Sequence, residues 1–329
     1  MRLVIRALLC LALGLLVGPS LVACGMIGGG AGDDPTPAPT APPQTPTPPP
    51  PPPEYPRTVT DLLGRDVEFR RRPVTVVALS QSAVEFVYAA GGEVAGRPTG
   101  ATYPPEAATA VEVGDAYAPD IAAIHRLDPD LVVADSVIHS LPAIRGELEA
   151  LGVPVIFAGA SNYPQVLEAI SVVGAALGTS LPAQIAVDEI ISTMLAAQAA
   201  LGQHGTTATI LLADRSGTLY SALDSGFAGD LLLRLGFINP TGSGEPSGPF
   251  PGYTILSTAT LIDLDPDLIF TISTSSVPLS QALAQDPALS GLRAIAGGRL
   301  IELDASLALR APGPRVVELI STMGAAVTP

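Results

Sequence analysis

Leu127-Asp128-Pro129-Asp130-Leu131-Val132-Val133 returns 137 positions later as Leu264-Asp265-Pro266-Asp267-Leu268-Ile269-Phe270. Each copy follows a segment with apolar residues at helical spacing and runs into a short, β-rich apolar stretch. Pro cannot continue a helix, and the residue before it is pushed out of the right-handed α region. Each copy therefore reads as helix end, Asp-Pro turn and buried parallel strand. A helix–turn–strand unit used twice predicts two similar α/β lobes.

Outward from these units the chain alternates strands and helices, the signature of parallel sheets. In the first half a hairpin (58–61 and 66–69 around Gly64-Arg65) precedes a buried-type strand at 74–79. Ser80-Gln81-Ser82 then caps a helix that Gly91-Gly92 stops. A short strand at Val94-Ala95 and a loop over 97–107 follow, and after the first unit come a helix at 141–151, a strand at 153–157 and a helix after Asn162. The second half restarts with strands at 209–213 and 219–222 and a helix at 228–235. Beyond it lie a Gly- and Pro-rich loop at 239–252, helical segments near Leu279 and Leu289, a last strand at 299–303 and a helix at 314–325. Between the halves, Ser180 caps a helix with Pro182 in its first turn and no strong breaker before Gly202. At about 22 residues it spans roughly 33 Å, long enough to bridge two lobes.

Composition narrows the chemistry. The 329 residues contain no Trp and no Lys, so all 16 basic residues are Arg, against 31 acidic ones. A phosphate-binding P-loop and a Schiff-base enzyme each need a Lys and are excluded. The net charge of −15 argues against nucleic acid as partner. At the N-terminus, Arg2 and Arg6 precede a short apolar run, the layout of a secretory signal over residues 1–23. It ends Leu21-Val22-Ala23-Cys24-Gly25, which resembles a bacterial lipobox. That resemblance makes Cys24 the lipidated first residue of an exported, membrane-anchored protein, and the other thiol, Cys10, leaves with the signal. Thirteen prolines fall between Pro35 and Pro56. Residues 24–56 therefore read as a disordered, Pro-rich tether extending about 3 Å per residue.

Beyond the tether the chain resembles the substrate-binding proteins of ABC importers for iron chelates, haem and cobalamin. The resemblance rests on Thr60-Asp61-Leu62-Leu63-Gly64-Arg65-Asp66-Val67, on Val76-Val77-Ala78-Leu79-Ser80 with Glu85, and on Tyr103-Pro104-Pro105-Glu106-Ala107. It continues in Phe227-Ala228-Gly229-Asp230-Leu231-Leu232 and Pro312-Gly313-Pro314-Arg315, in order over 57–329. It implies two Rossmann-like lobes with mainly parallel sheets: an N-terminal lobe (57–179), one long bridging helix (180–203) and a C-terminal lobe (204–329), with a shallow cleft between the lobes. It also implies a monomer without enzymatic activity or a required cofactor, whose ligand is haem, a ferric siderophore or cobalamin.

Tyr103, in its Tyr-Pro context, resembles the iron ligand of the haem-binding branch, and phenolate suits ferric haem. A loop tyrosine packed on its own prolines is the plain alternative. Tyr117 and Tyr253 are further cleft candidates; the latter lies in Phe250-Pro251-Gly252-Tyr253, also similar to that branch. Arg97, Arg215 and Arg310 sit in predicted loops after strands, the edge where open α/β sheets bind ligands, and a guanidinium fork suits carboxylates. Solvated surface arginines would look the same in sequence. His125, His139 and His204 share no metal-ligand spacing. Asp128, Asp130, Asp265 and Asp267 fit turn chemistry better than acid–base catalysis. In the family one Glu per lobe, seven residues before each Asp-Pro turn's Pro, pairs with the permease. Here those positions are Ala122 and Ala259, with Asp120 and Asp263 displaced from them. The readings left open are an importer-coupled binding protein, a tethered ligand-binding or sensing module without a permease, and an exported hydrolase lacking a recognisable nucleophile–base set.

Overall fold

In the computed structural model, which describes residues 54–327, the chain opens with a hairpin, β1 (Arg57–Thr60) and β2 (Asp66–Phe69). The signal, the lipobox Cys24 and almost all of the Pro-rich stretch lie outside the described residues. The first lobe continues through β3 (Val76–Ala78), α1 (Gln81–Ala89), β4 (Gly96–Arg97), β5 (Val111–Glu112), β6 (Gly114–Asp115) and β7 (Ala118–Pro119). It ends with α2 (Ile121–Arg126), β8 (Leu131–Ala134), α3 (Pro142–Glu149), β9 (Val155–Phe157) and α4 (Tyr163–Leu177). Then comes the 22-residue bridge, α5 (Ser180–Leu201). The second lobe holds β10 (Ala208–Ala213), β11 (Leu219–Ala222), α6 (Phe227–Arg234), β12 (Tyr253–Leu256), α7 (Thr258–Leu264) and β13 (Leu268–Ile272). It closes with α8 (Leu279–Gln285), α9 (Arg293–Ala296), β14 (Leu300–Leu303) and α10 (Val316–Ala325).

The first lobe's five-stranded sheet, ordered β5-β4-β3-β8-β9, is parallel throughout. The second, β12-β11-β10-β13-β14, is parallel from β10 to β14, while β11 and β12 form an antiparallel meander on its other side. Strand residues alternate between two apolar layers. Val76, Ala78, Leu131 and Val133 belong to the main core, and Val77, Leu79, Val132 and Ala134 to a satellite core under α2 and α3. Burial on both faces is why these strands read as unbroken apolar runs. The main core does not stop at the lobe boundary. It continues through Val187, Ile190 and Met194 of α5 into Ile210, Phe270 and Ile320. A shared core of this kind couples the lobes more tightly than a flexible linker would.

The twin units fold alike. Asp128 and Asp265 are the two described non-glycine residues with positive φ, at 47° and 40°. The residue before Pro has thus left the right-handed region for the left-handed one that Asp tolerates, not for an extended conformation. The aspartate after each Pro then ties the turn to the segment that begins the lobe's first parallel strand. Asp130 Oδ2 accepts from the Val74 and Thr75 amides, each at 3.0 Å, and Asp267 Oδ2 from the Thr207 amide at 2.9 Å and hydroxyl at 2.8 Å. Arg71 and Arg293 cover the remaining oxygens. These carboxylates are turn staples.

Several expectations shift. The strand placed at Val94-Ala95 lies at Gly96–Arg97, so Arg97 ends a strand instead of sitting in a loop. The N-cap of α5 is Thr179, which gives no side-chain cap bond; Ser180 is already helical. The loop at 239–252 leads into β12, a strand the periodicity did not reveal because Tyr253–Leu256 is a four-residue edge strand.

Candidate functional site

Between the lobes lies a cleft enclosing about 200 Å³. The first lobe contributes Tyr117, Asp135, Val137, Ile138 and Ser161, from loops beyond β6, β8 and β9. The second contributes Ser225, Gly226 and Phe227 at the start of α6, then Gly252-Tyr253, and the stretch ending at Arg310 and Pro312. Tyr117 is 74% exposed at the tip of the β6–β7 turn, and Tyr253 is 4% exposed. The Tyr253 hydroxyl finds no hydrogen-bond partner among the described residues, and burial pushes its phenol well above the usual tyrosine range. Arg310 is exposed, and its charge acts on the nearby Asp304 carboxylate without a direct ion pair among the described residues.

The first-lobe wall is held by Asp135. Its carboxylate accepts from the Ser80 and Ser82 hydroxyls at 3.2 and 3.0 Å and from the Val137 and Ile138 amides at 2.7 and 3.1 Å. The Asp135 amide donates to His139 Nδ1 at 2.8 Å, so His139 Nε2 carries the hydrogen and donates to the Ala116 carbonyl at 2.6 Å. Buried His139 thereby fixes the residue preceding Tyr117. Burial lowers its pKa, outweighing the Ala116 carbonyl and the Asp135 carboxylate, which raise it. With the folded value depressed, the unfolded chain binds more protons as pH falls through about 6.5. Stability is present above that pH and is lost below it. The unfolding midpoint is expected to fall between pH 7.5 and 5.5, with a shallower dependence in His139→Asn; equal slopes in the two chains would remove His139 from this role.

The second-lobe wall rests on a close approach of two glycines. A Cβ on Gly226 would come within 2.8 Å of the Gly252 backbone, and Leu223 donates its amide to the Gly252 carbonyl. Beneath, Thr209, Ser221, Thr241 and Asn239 form a hydrogen-bonded chain, with Asn239 Nδ2 reaching the Ala222 carbonyl and Asp224 at 2.9 and 3.0 Å. Such a satisfied, partly buried network fixes the loops it joins. Tyr253 is the exception, and leaving a buried polar atom unpaired costs about 1–3 kcal/mol. Tyr253→Phe is therefore expected to raise the stability of the unliganded protein, measured by denaturant unfolding, while weakening ligand binding. A less stable variant would mean that the phenol already has a partner.

The remaining sequence candidates lie elsewhere. Tyr103 lines a second hollow of about 570 Å³ with Tyr88, Ile185 and Glu189, under the guanidinium of Arg315, which stands 4.1 Å from its ring centroid. The segment 312–315 runs between the two spaces, Pro312 lining the cleft and Pro314 and Arg315 the second hollow. Arg97 is buried beside β5 and paired with Glu112 at 3.2 Å, the ion-paired role that sequence left open for it. Arg215 is exposed on the β10–β11 turn, among neither set of lining residues. Ala122 and Ala259 are both exposed in the first turns of α2 and α7, while Asp120 is occupied as the N-cap of α2. The histidines are dispersed: besides His139, His204 packs edge-on against Phe237, and His125 is exposed on α2. Sequence reading passed over Asp135 and Phe227 as cleft residues; the strand-end rule that singled out the arginines would also have reached Asp135, one residue past β8.

Two lobes, a helical bridge and a cleft walled by both are what a known fold shares. The periplasmic binding protein profile matches residues 76–307. The chain belongs to the periplasmic binding protein family. A cobalamin-binding protein of Halobacterium salinarum is 24% identical over 277 residues, 82% of this chain and 73% of that protein. Among solved structures, the periplasmic catecholate-siderophore binding protein VctP from Vibrio cholerae superposes with a TM-score of 0.69 at 16% identity, covering 82% of this chain and 99% of its own. The periplasmic haem-binding protein RhuT from Roseiflexus sp. RS-1, in apo form, gives 0.65 at 20% identity, covering 77% and 97%. No helix among the described residues is long and apolar enough to cross a membrane.

Proposed function

We propose that the protein is an extracytoplasmic binding protein that captures a bulky iron chelate or tetrapyrrole in the cleft between its lobes. It is held at the cell membrane by lipid on Cys24, stands off by the Pro-rich tether, and hands its ligand to an ABC permease. The observation that carries the reading is the cleft itself. Both lobes wall it, an exposed aromatic and an exposed guanidinium stand at it, and the buried Tyr253 phenol has no partner among the described residues. The likeness to proteins named for cobalamin, haem and catecholate siderophores supports this class of ligand. At about 200 Å³ the enclosed space is smaller than the roughly 300–1,000 Å³ of usual ligand pockets. A macrocycle would thus lie across the mouth or spread the lobes. Isothermal titration with cyanocobalamin and haemin tests the reading; saturable 1:1 binding of either supports it, and no binding of either, nor of a ferric siderophore, contradicts it.

Two branches stay within this reading. Iron ligation by Tyr103 requires its ring to leave the cover of Arg315, and a tyrosinate-type ferric haemin spectrum lost in Tyr103→Phe is its signature. The second branch concerns the partner. Ala122 and Ala259 present no carboxylate at the positions where the family resemblance implies docking, and a tethered sensing module without a permease is the alternative that rests on them. Co-purification with a permease would decide for the importer.

A further inference from the structure

We infer, resting on the proposal that the cleft is the ligand site, that its occupant is a bulky molecule close to electrically neutral, with one localised acceptor or acidic group, and not a polyanionic ferric chelate. The charge inventory carries this. Among the described residues lining the cleft, Arg310 is the one cation and Asp135 the one anion. No lysine exists to supplement it. Three further guanidiniums outside the lining are already paired: Arg97 with Glu112, Arg234 with Asp230 and Arg315 with Glu85. The chain as a whole carries −15, so a ligand bearing several negative charges approaches against the protein's field and meets a single counter-charge. Leaving such charges unpaired in a partly dehydrated cleft is costly.

The polar hooks are few and close together. The start of α6 faces the cleft with Gly226 as N-cap and no side chain capping its free amides, and Asp230 in that first turn is turned away, to the Tyr163 amide and Arg234. Uncapped helix amides can donate to the oxygens of one carboxylate, phosphate or carbonyl. The Tyr253 phenol, buried and unpartnered, lines the same wall. With Arg310 they make one polar anchorage. Around it Tyr117, Phe227, Val137, Ile138, Leu309 and Pro312 offer aromatic and apolar surface suited to the face of a large, weakly charged ring or chelate.

Titration of the full chain with three probes tests this: cyanocobalamin, a neutral ferric tris-hydroxamate and a ferric tris-catecholate carrying three negative charges. At least one neutral probe is expected to bind at least about ten-fold tighter than the tris-catecholate. Raising sodium chloride from about 0.05 to about 0.5 M should strengthen tris-catecholate binding, because screening relieves repulsion, and leave the neutral probes nearly unchanged. Ser225→Lys should narrow the gap by raising tris-catecholate affinity, and Arg310→Gln should weaken the best neutral probe about ten-fold. A tris-catecholate that binds tightest and weakens with salt overturns the inference and leaves the cleft reading standing. Failure of all three probes, and of haemin, to bind overturns both.

Discussion

Replacing Arg315 by Met is expected to cost about 3–5 kcal/mol of folding stability, the usual penalty for removing one partner of a buried ion pair. Arg315 Nε and Nη2 donate to the two oxygens of Glu85 at 3.1 and 2.8 Å, a bidentate fork across 230 residues of sequence. The Glu85 side chain is 1% exposed and that of Arg315 16%. Without the guanidinium the carboxylate keeps only the Gln81 amide at 3.0 Å and must be buried charged or take up a proton. Arg315→Lys should rescue little, since an ammonium cannot reproduce the fork. Glu85→Gln with Arg315→Met should recover most of the loss, because the pair's desolvation then disappears with its attraction. Denaturant unfolding of the three variants separates these cases, and a single substitution costing under about 1 kcal/mol would show the pair to be dispensable. The pair also clamps α1 of one lobe to the segment entering α10 of the other. Its loss should therefore loosen the cleft, seen as a larger radius of gyration in solution scattering.

Asp61→Ala is expected to be of similar size, again about 3–5 kcal/mol. The Asp61 side chain is fully buried. It accepts from the amides of Leu63, Arg65 and Phe157 at 3.0, 3.1 and 3.2 Å and binds Arg65 Nε and Nη2 at 3.0 and 2.7 Å. Arg65 in turn reaches the Val155 carbonyl and Glu149, and its guanidinium stacks 4.4 Å from the Phe157 ring centroid. One carboxylate thus shapes the hairpin turn and fastens it to the edge strand β9. Asp61→Asn keeps an acceptor for the amides but loses the ionic bond, so it should fall between wild type and Ala. A near-neutral Asp61→Ala would mean that water or a shifted Arg65 takes over all three amides.

The twin Leu-Asp-Pro-Asp-Leu units were sufficient to read two lobes because their signals are local: Pro ends a helix, and a doubly buried strand must be apolar throughout. The bridge was equally legible, since nothing breaks Ser180–Leu201. The two-residue strands β4 to β7 were not, for their pairing is set by neighbours distant in sequence and leaves no periodicity to see. The same division runs through the cleft. Tyr117, Tyr253 and Arg310 converge there, whereas Arg97 turns to Glu112 and Tyr103 lies beneath Arg315. Sequence can place a residue at a strand end; which partner its side chain finds depends on packing from the other lobe. The Tyr253 orphan and the His139 latch are of this kind, since each is defined by what surrounds it in space.

The most direct measurement is alkylation protection. The sequence contains two cysteines, Cys10 and Cys24, both near the N-terminus, so thiols placed by Ser161→Cys and Ser225→Cys report on opposite walls of the cleft. Ser290→Cys, exposed and outside the cleft lining, is the control. At saturating ligand, identified by titration with cyanocobalamin, haemin and ferric siderophores, maleimide labelling at 161 and 225 should slow by about ten-fold or more while labelling at 290 is unchanged. A ligand that binds one-to-one yet leaves both cleft thiols as reactive as before would place the binding site elsewhere and contradict the account.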